Sequence, residues 1–307
     1  MNSKIDVLIS GAGPTGLMAA CRLAAAGVSF RLVDKQAAFS NLSRALAVQA
    51  RTLEIFEQMG IIDKALENGE KMHGIVLLTE KGRATIELKT KQTTITPYPF
   101  VLILPQDKTE RILGEELTRL GGSVEWKTEV LSIEQDANLV RAQVHGPNGA
   151  ETIEAKYIIG ADGAHSSVRH SLGIEFKGAP YGQTFYLGDI AIDWDIPRGF
   201  AVACPGRSGF NAFFPMPGNG RYRALGIIPE NVRGQKLDLT LVQKIFSETV
   251  PTALTASDPR WMSEYHLHHR FATSFRQPGR RTGNEYRIAG RSQPCMEARS
   301  GSKAKRL

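Results

Sequence analysis

The sequence is poor in the features that would mark a secreted or membrane-spanning protein. Its three cysteines, Cys21, Cys204 and Cys295, lie too far apart for a disulfide framework or a metal cluster. No run of about 18 apolar residues occurs, so no spanning helix and no membrane span are expected. Met1-Asn2-Ser3-Lys4 passes straight into an apolar strand, which leaves no room for a secretory signal. A reducing, cytoplasmic setting is therefore the expectation. No internal repeat is found. Apolar content of 42% is enough to build a core, and 307 residues allow one large domain or two ordinary ones.

Acids are scarce in one stretch. Residues 276–307 hold nine Lys and Arg against Glu285 and Glu297. That stretch carries the whole net charge of +7, and residues 1–275 hold 29 charges of each sign. The basic balance therefore says nothing about the body of the chain. The bases sit among Gly, Ser, Thr and Asn with few apolar residues and no period, a composition that argues for disorder. With Tyr286 as its single aromatic and no binding motif, no nucleic-acid partner is expected.

What the sequence does have begins at its start. Asp6-Val-Leu-Ile-Ser10 reads as a short apolar strand and runs into Gly11-Ala-Gly13-Pro-Thr-Gly16. Leu17, Ala20, Cys21 and Ala24 then recur at helical spacing. A second strand, Phe30–Val33, ends on Asp34, 18 residues beyond Gly16. Strand, glycine turn, helix, strand and acid in this order make a dinucleotide fold. Gly11 allows the tight turn, Gly13 lets backbone approach a pyrophosphate, and Gly16 lets the helix lie close on the strand. Pro14 suits the first helical turn, where its missing N–H costs nothing. The helix N-terminus offers free N–H groups and a positive dipole end to phosphates. Asp34 stands where a carboxylate would accept ribose hydroxyls. These residues alone leave NAD and FAD both open.

Three further segments narrow the choice. Ser43-Arg44-Ala45 precedes a helix over residues 48–59, with Leu53 and Phe56 inward, Ile55 a further candidate for that face, and Gly60 ending it. Tyr98–Gln106 leads into a helix over 109–117. Residues 157–169 read as a strand, a tight acidic turn (Gly160-Ala161-Asp162-Gly163) and a short helix opened by Ser166. Through these motifs, residues 4–275 resemble the single-component FAD-dependent aromatic hydroxylases of the p-hydroxybenzoate and phenol/polyketide hydroxylase type. The resemblance implies that Gly11, Gly13 and Gly16 cradle the FAD pyrophosphate. It puts Asp34 on the adenosine ribose, with Lys35 beside it. Arg44, 16 residues before Gly60, becomes a guanidinium clamp across the pyrophosphate. Gln106 and Arg111 match the family's flavin-side pair, and Asp162 sits in the motif linked to FAD and reduced nicotinamide. The residues by themselves also allow plainer roles: a surface ion pair for Arg44, an i,i+4 pair with Glu115 for Arg111, a turn aspartate for Asp162.

Residues 176–275 change texture. Strands are expected over 184–194, 199–203, 210–217, 221–229 and 261–270, with a helix over 239–250. An antiparallel sheet with one covering helix suits a planar ligand. Phe185, Tyr186, Trp194, Phe213 and Phe214 could line a pocket or fill a core. His266, His268 and His269 lack an accompanying Cys or carboxylate set, so no metal is expected.

One piece of the resembled family is missing. There, a strand ends in Gly-Asp, followed by a glycine loop and a helix facing the flavin ring. Here the corresponding place reads Ile288-Ala-Gly290-Arg291-Ser292. Residues 276–307 are thus expected to be an irregular basic tail replacing the third FAD motif, the product of a shifted frame or misplaced exon boundary. A marginal product with weak FAD affinity would follow.

The fold expected is α/β: a Rossmann-like FAD-binding domain over 1–175 and an antiparallel-sheet substrate domain over 176–275. The resemblance implies a monooxygenase that uses NADPH or NADH to reduce FAD, then O2 through a flavin C4a-hydroperoxide, to hydroxylate a small aromatic or phenol-like substrate. The flavin carries the hard chemistry, so no side chain is assigned as catalytic acid or base. The alternative is a truncated, non-catalytic remnant that binds FAD weakly or not at all. Oligomeric state is not legible.

Overall fold

The computed structural model describes residues 4–40, 43, 45–88, 96–206 and 209–276. Along the chain run β1 (Ile5–Ser10), α1 (Pro14–Ala25), β2 (Phe30–Asp34), β3 (Ala47–Val48), α2 (Ala50–Gln58), α3 (Ile62–Asn68), β4 (Glu70–Met72), β5 (Gly74–Thr79), β6 (Gly82–Glu87) and β7 (Val101–Ile103). Then follow α4 (Gln106–Arg119), β8 (Val124–Trp126), β9 (Glu129–Gln135), β10 (Val140–Gly146), β11 (Gly149–Gly160), α5 (Ser167–Ser171) and β12 (Phe176–Asp193). The last are β13 (Phe200–Gly206), β14 (Gly209–Pro215), β15 (Arg221–Ile227), α6 (Leu239–Thr249) and β16 (Thr255–Ala272).

Of the described residues, those before 43, those from 106 to 178 and those from 269 on form a first compact unit; those from 43 to 105 and from 179 to 268 form a second. Residues 43–105 thus fall with the later half of the chain. The reason is strand pairing. β5 lies parallel to β13, with Gly74 opposite Phe200, so the segment is claimed by strands more than a hundred residues away.

The first unit is built on a six-stranded sheet ordered β8-β2-β1-β11-β10-β9. β8, β2, β1 and β11 are parallel; β10 runs antiparallel to β11 and β9. Parallel strands buried on both faces read as continuous apolar runs, and Leu8, Ile9 and Leu32 are fully buried. Each such side chain contributes about 1.5–3 kcal/mol on burial. α1 packs on α4 through a seam that includes Cys21, a buried thiol donating to the Leu113 carbonyl at 3.4 Å. That thiol is a core residue, as its place on an apolar helix face implied.

The second unit holds a seven-stranded sheet ordered β16-β12-β15-β14-β13-β5-β6 and a small sheet β3-β7-β4. Leu241, Val242, Ile245 and Phe246 bury the inner stripe of α6, whose start is capped by Asp238 accepting from the Leu241 N–H at 2.9 Å. Tyr186, Phe213 and Trp194 pack in this core: Phe213 lies 5.2 Å from Phe246 and 4.9 Å from Trp194 between ring centres. Phe214 packs instead with Leu46, Met72, Ile103, Ala201 and Met216. Phe185 lies against Tyr265, 5.6 Å between ring centres. No helix among the described residues is long and apolar enough to cross a membrane.

Candidate functional site

The site grows from the pairing of β1 with β11. Ser10 lies opposite Gly160, so both strands end at the same level and their loops meet. The Ala161 N–H donates to the Ser10 carbonyl at 2.7 Å. The glycine turn and the acidic turn therefore sit side by side, at the carboxyl ends of parallel strands where α/β folds place ligands.

Each glycine has a separate physical reason. Gly11 adopts φ +102°, and a Cβ on it would lie 2.4 Å from the Ala161 carbonyl oxygen. A Cβ on Gly16 would lie 1.8 Å from the Gly11 carbonyl oxygen. Both positions are fixed by close backbone approach within the protein. Gly13 is different: a Cβ there would meet no atom within 4 Å. Gly13 is also the N-cap of α1, and no side chain caps that helix. The α1 N-terminus is thus without a side-chain cap, next to open space at Gly13.

Asp34 ends β2 beside this turn. Its Oδ2 accepts from the Ala12 N–H at 2.6 Å and its Oδ1 from the Gln36 N–H at 2.8 Å. Four lone pairs and two donors leave acceptor capacity for a ligand hydroxyl. Lys35, next along, is exposed and stands 3.8 Å from Glu129. On the other side, Asp162 Oδ2 accepts from the Val168 N–H at 3.2 Å, which steadies the start of α5. Asp162 Oδ1 is buried and has no protein partner. A buried carboxylate oxygen left without a donor is unfavourable unless a ligand or water supplies one. Ser166 caps α5 by accepting from the Arg169 N–H at 2.9 Å, the helix-starting role read from the sequence.

Gln106 opens α4 and donates through Nε2 to Glu110 Oε1 at 2.9 Å. Arg111 lies on the exposed face of that helix. So Gly11, Gly13, Gly16, Asp34 and Asp162 gather around the ends of β1, β2 and β11, while Gln106 and Arg111 stand on α4. Arg44 lies outside the described residues, as do 277–307 and with them the place of the third motif. Among the described residues no group of three His, Cys, Asp or Glu is arranged to hold a metal ion.

Sequence reading passed over Glu110. It is buried, and burial pushes its carboxyl pKa above the ordinary carboxylate value, with Asp107 and Asp34 adding to the rise. The signal was present: Glu110, Leu113, Gly114 and Leu117 follow the i, i+3, i+4, i+7 stripe of the buried face of α4.

Comparison with known proteins bears on this geometry. A family described as FAD binding domain matches residues 4–280. The chain is 33% identical over 277 residues to the 6-methylpretetramide 4-monooxygenase of Streptomyces rimosus, covering 88% of this chain and 49% of that protein. It is 31% identical over 305 residues to the pentachlorophenol 4-monooxygenase of Sphingobium chlorophenolicum, covering 96% of this chain and 54% of that protein. Among solved structures, the OxyS anhydrotetracycline hydroxylase from Streptomyces rimosus superimposes with a TM-score of 0.68 at 29% identity, over 91% of this chain and 55% of that one. The chain spans about half the length of the curated relatives it matches. With a match running from residue 4 to residue 280, through both the glycine turn and the acidic turn, the chain belongs to the FAD binding domain family.

Proposed function

We propose that the chain is the FAD-holding part of a flavin monooxygenase that uses NADPH or NADH and O2 to hydroxylate a small aromatic or phenol-like molecule. The observation that carries this reading is the junction of the two turns. An open glycine face, an uncapped helix N-terminus and an orphaned carboxylate oxygen lie together in the first unit. These fit FAD: a diphosphate needs N–H donors and space, and a sugar chain brings hydroxyl donors. The names of the two relatives, a pretetramide and a pentachlorophenol monooxygenase, support the substrate class.

In this reading Gly11 and Gly16 shape the turn, and the backbone at Gly13 and the α1 N-terminus hold the pyrophosphate. Asp34 takes ribose hydroxyls, with Lys35 beside it. Asp162 offers Oδ1 to a donor on the cofactor. Gln106 and Arg111 serve the flavin side, and Arg44 supplies a cation to the diphosphate. FAD, when bound, supplies hydride acceptance and oxygen activation. The protein's own work is to bind, orient and exclude water. A cytoplasmic setting is consistent with Cys21 and Cys204 both being free thiols.

The test is consumption of NADPH and NADH by the 307-residue chain with added FAD, with and without a panel of phenols and fused-ring phenolics. Substrate-stimulated consumption with hydroxylated product is expected. Folded, FAD-loaded protein that gives no stimulation with any of them would contradict the monooxygenase reading.

A further inference from the structure

α4 carries a carboxylate on its buried face, at a place where the same stripe elsewhere uses Leu113 and Leu117. Glu110 is 4% exposed. Its Oε1 accepts from Gln106 Nε2 at 2.9 Å, and its carboxylate also accepts from the backbone N–H of Ser40. Ser40 belongs to the loop that follows Asp34. Gln106 is one helical turn back on α4. One side chain thus ties the end of the β2 loop to the first turn of α4. The charged groups that influence Glu110 are Asp107 on its own helix and Asp34 at the end of β2, and both are acidic.

That arrangement is a poor choice for stability alone. Burying a carboxylate with acids as its charged neighbours and amides as its partners costs free energy that a leucine would not. A carboxylate does offer two acceptor oxygens, enough to take N–H groups from two different segments at once. We infer that Glu110 is a positioning residue for the cofactor, orienting the Gln106 amide and fixing the loop after Asp34 so that both ends of the site are held in register. The inference rests on the FAD reading of this site and names how that site is held in shape. A side chain kept at a cost to stability, with its hydrogen bonds aimed at two proposed cofactor residues' segments, is how binding sites are preorganised.

The test compares the 307-residue chain with Glu110→Leu and Glu110→Gln. Leucine fits the apolar stripe, so the cofactor-free protein is expected to melt at the same temperature or higher. FAD affinity is expected to fall about tenfold or more, the scale of losing hydrogen bonds to a charged group. The absorption spectrum of the bound flavin is expected to shift as well. Gln106→Ala combined with Glu110→Leu should weaken binding by less than the product of the single effects, because the two act through one contact. Glutamine keeps the size but presents an NH2 group to an N–H donor, so Glu110→Gln should keep the fold and weaken FAD about tenfold. Unchanged affinity and spectrum in both variants, with the unmodified chain binding FAD, would overturn this inference while leaving the cofactor reading intact. Loss of folding in both variants would make Glu110 a structural residue and overturn it too. Failure of the unmodified chain to bind FAD would instead sink the cofactor reading beneath it.

Discussion

Asp189→Ala is expected to cost the second unit about 3–5 kcal/mol, the scale for removing one partner of a buried ion pair. Asp189 lies on β12 directly opposite Arg223 on β15. Arg223 is 1% exposed. Its Nε and Nη2 donate to the two Asp189 oxygens at 2.6 and 2.8 Å, a bidentate pair. Nη1 reaches Ser43 Oγ at 3.3 Å. Trp261 completes the cluster: its Nε1 donates to Asp189 Oδ2 at 3.1 Å, and its ring lies 5.0 Å from the guanidinium carbon. Removing the carboxylate therefore strands a buried cation and an indole N–H together. Domains are stable by only about 5–15 kcal/mol in all, so the loss is a large share. Urea unfolding followed by tryptophan fluorescence is a suitable probe, since Trp194 and Trp261 lie in the second unit and Trp126 in the first. A loss below about 1 kcal/mol would show the pair to be solvated. Asp189→Leu with Arg223→Met should recover part of the loss, because it removes the stranded cation and leaves the Trp261 indole N–H as the group without its acceptor.

The second large effect is in the first unit. Gly16→Val is expected to abolish stable folding, or to cost about 3 kcal/mol or more, the upper end of overpacking. The clash is not with a flexible side-chain tip. The new Cβ would fall 1.8 Å from the carbonyl oxygen of Gly11, whose own N–H is held by the Val33 carbonyl at 2.8 Å. Gly11 cannot retreat, because it lies against the Ala161 backbone. α1 would have to lift from the sheet, exposing Leu17 and Ala20, both fully buried. A melting temperature within about 2 °C of the unmodified chain would contradict this packing.

The parts of the molecule legible in sequence were those fixed by neighbours along the chain. The glycine turn could be read position by position, since a turn, a close approach and a helix start are decided within six residues. The stripe on α6 and the Ser166 cap are local in the same sense. What could not be read was decided at a distance. β5 belongs to a sheet with β13 because Gly74 meets Phe200, and nothing within residues 70–80 announces it. Asp189 and Arg223 sit in strands that looked like ordinary sheet, and their pairing depends on a register set by both. The aromatics could be read as pocket or core. Tyr186, Phe213 and Trp194 proved to be core once α6 was seen to lie over them. Glu110 falls between these cases: its stripe was visible, but its partner Ser40 lies 70 residues earlier.

One titration bears most directly on the claim that the two turns hold FAD. Gly13→Glu adds a charged side chain whose Cβ lies where, chain neighbours aside, no protein atom is within 4 Å, so the cofactor-free fold should be undisturbed and its melting temperature unchanged. The same carboxylate would project into the space assigned to the diphosphate, and FAD affinity measured by flavin fluorescence should fall about a hundredfold or more. FAD bound by Gly13→Glu as tightly as by the unmodified chain would mean that the cofactor lies elsewhere.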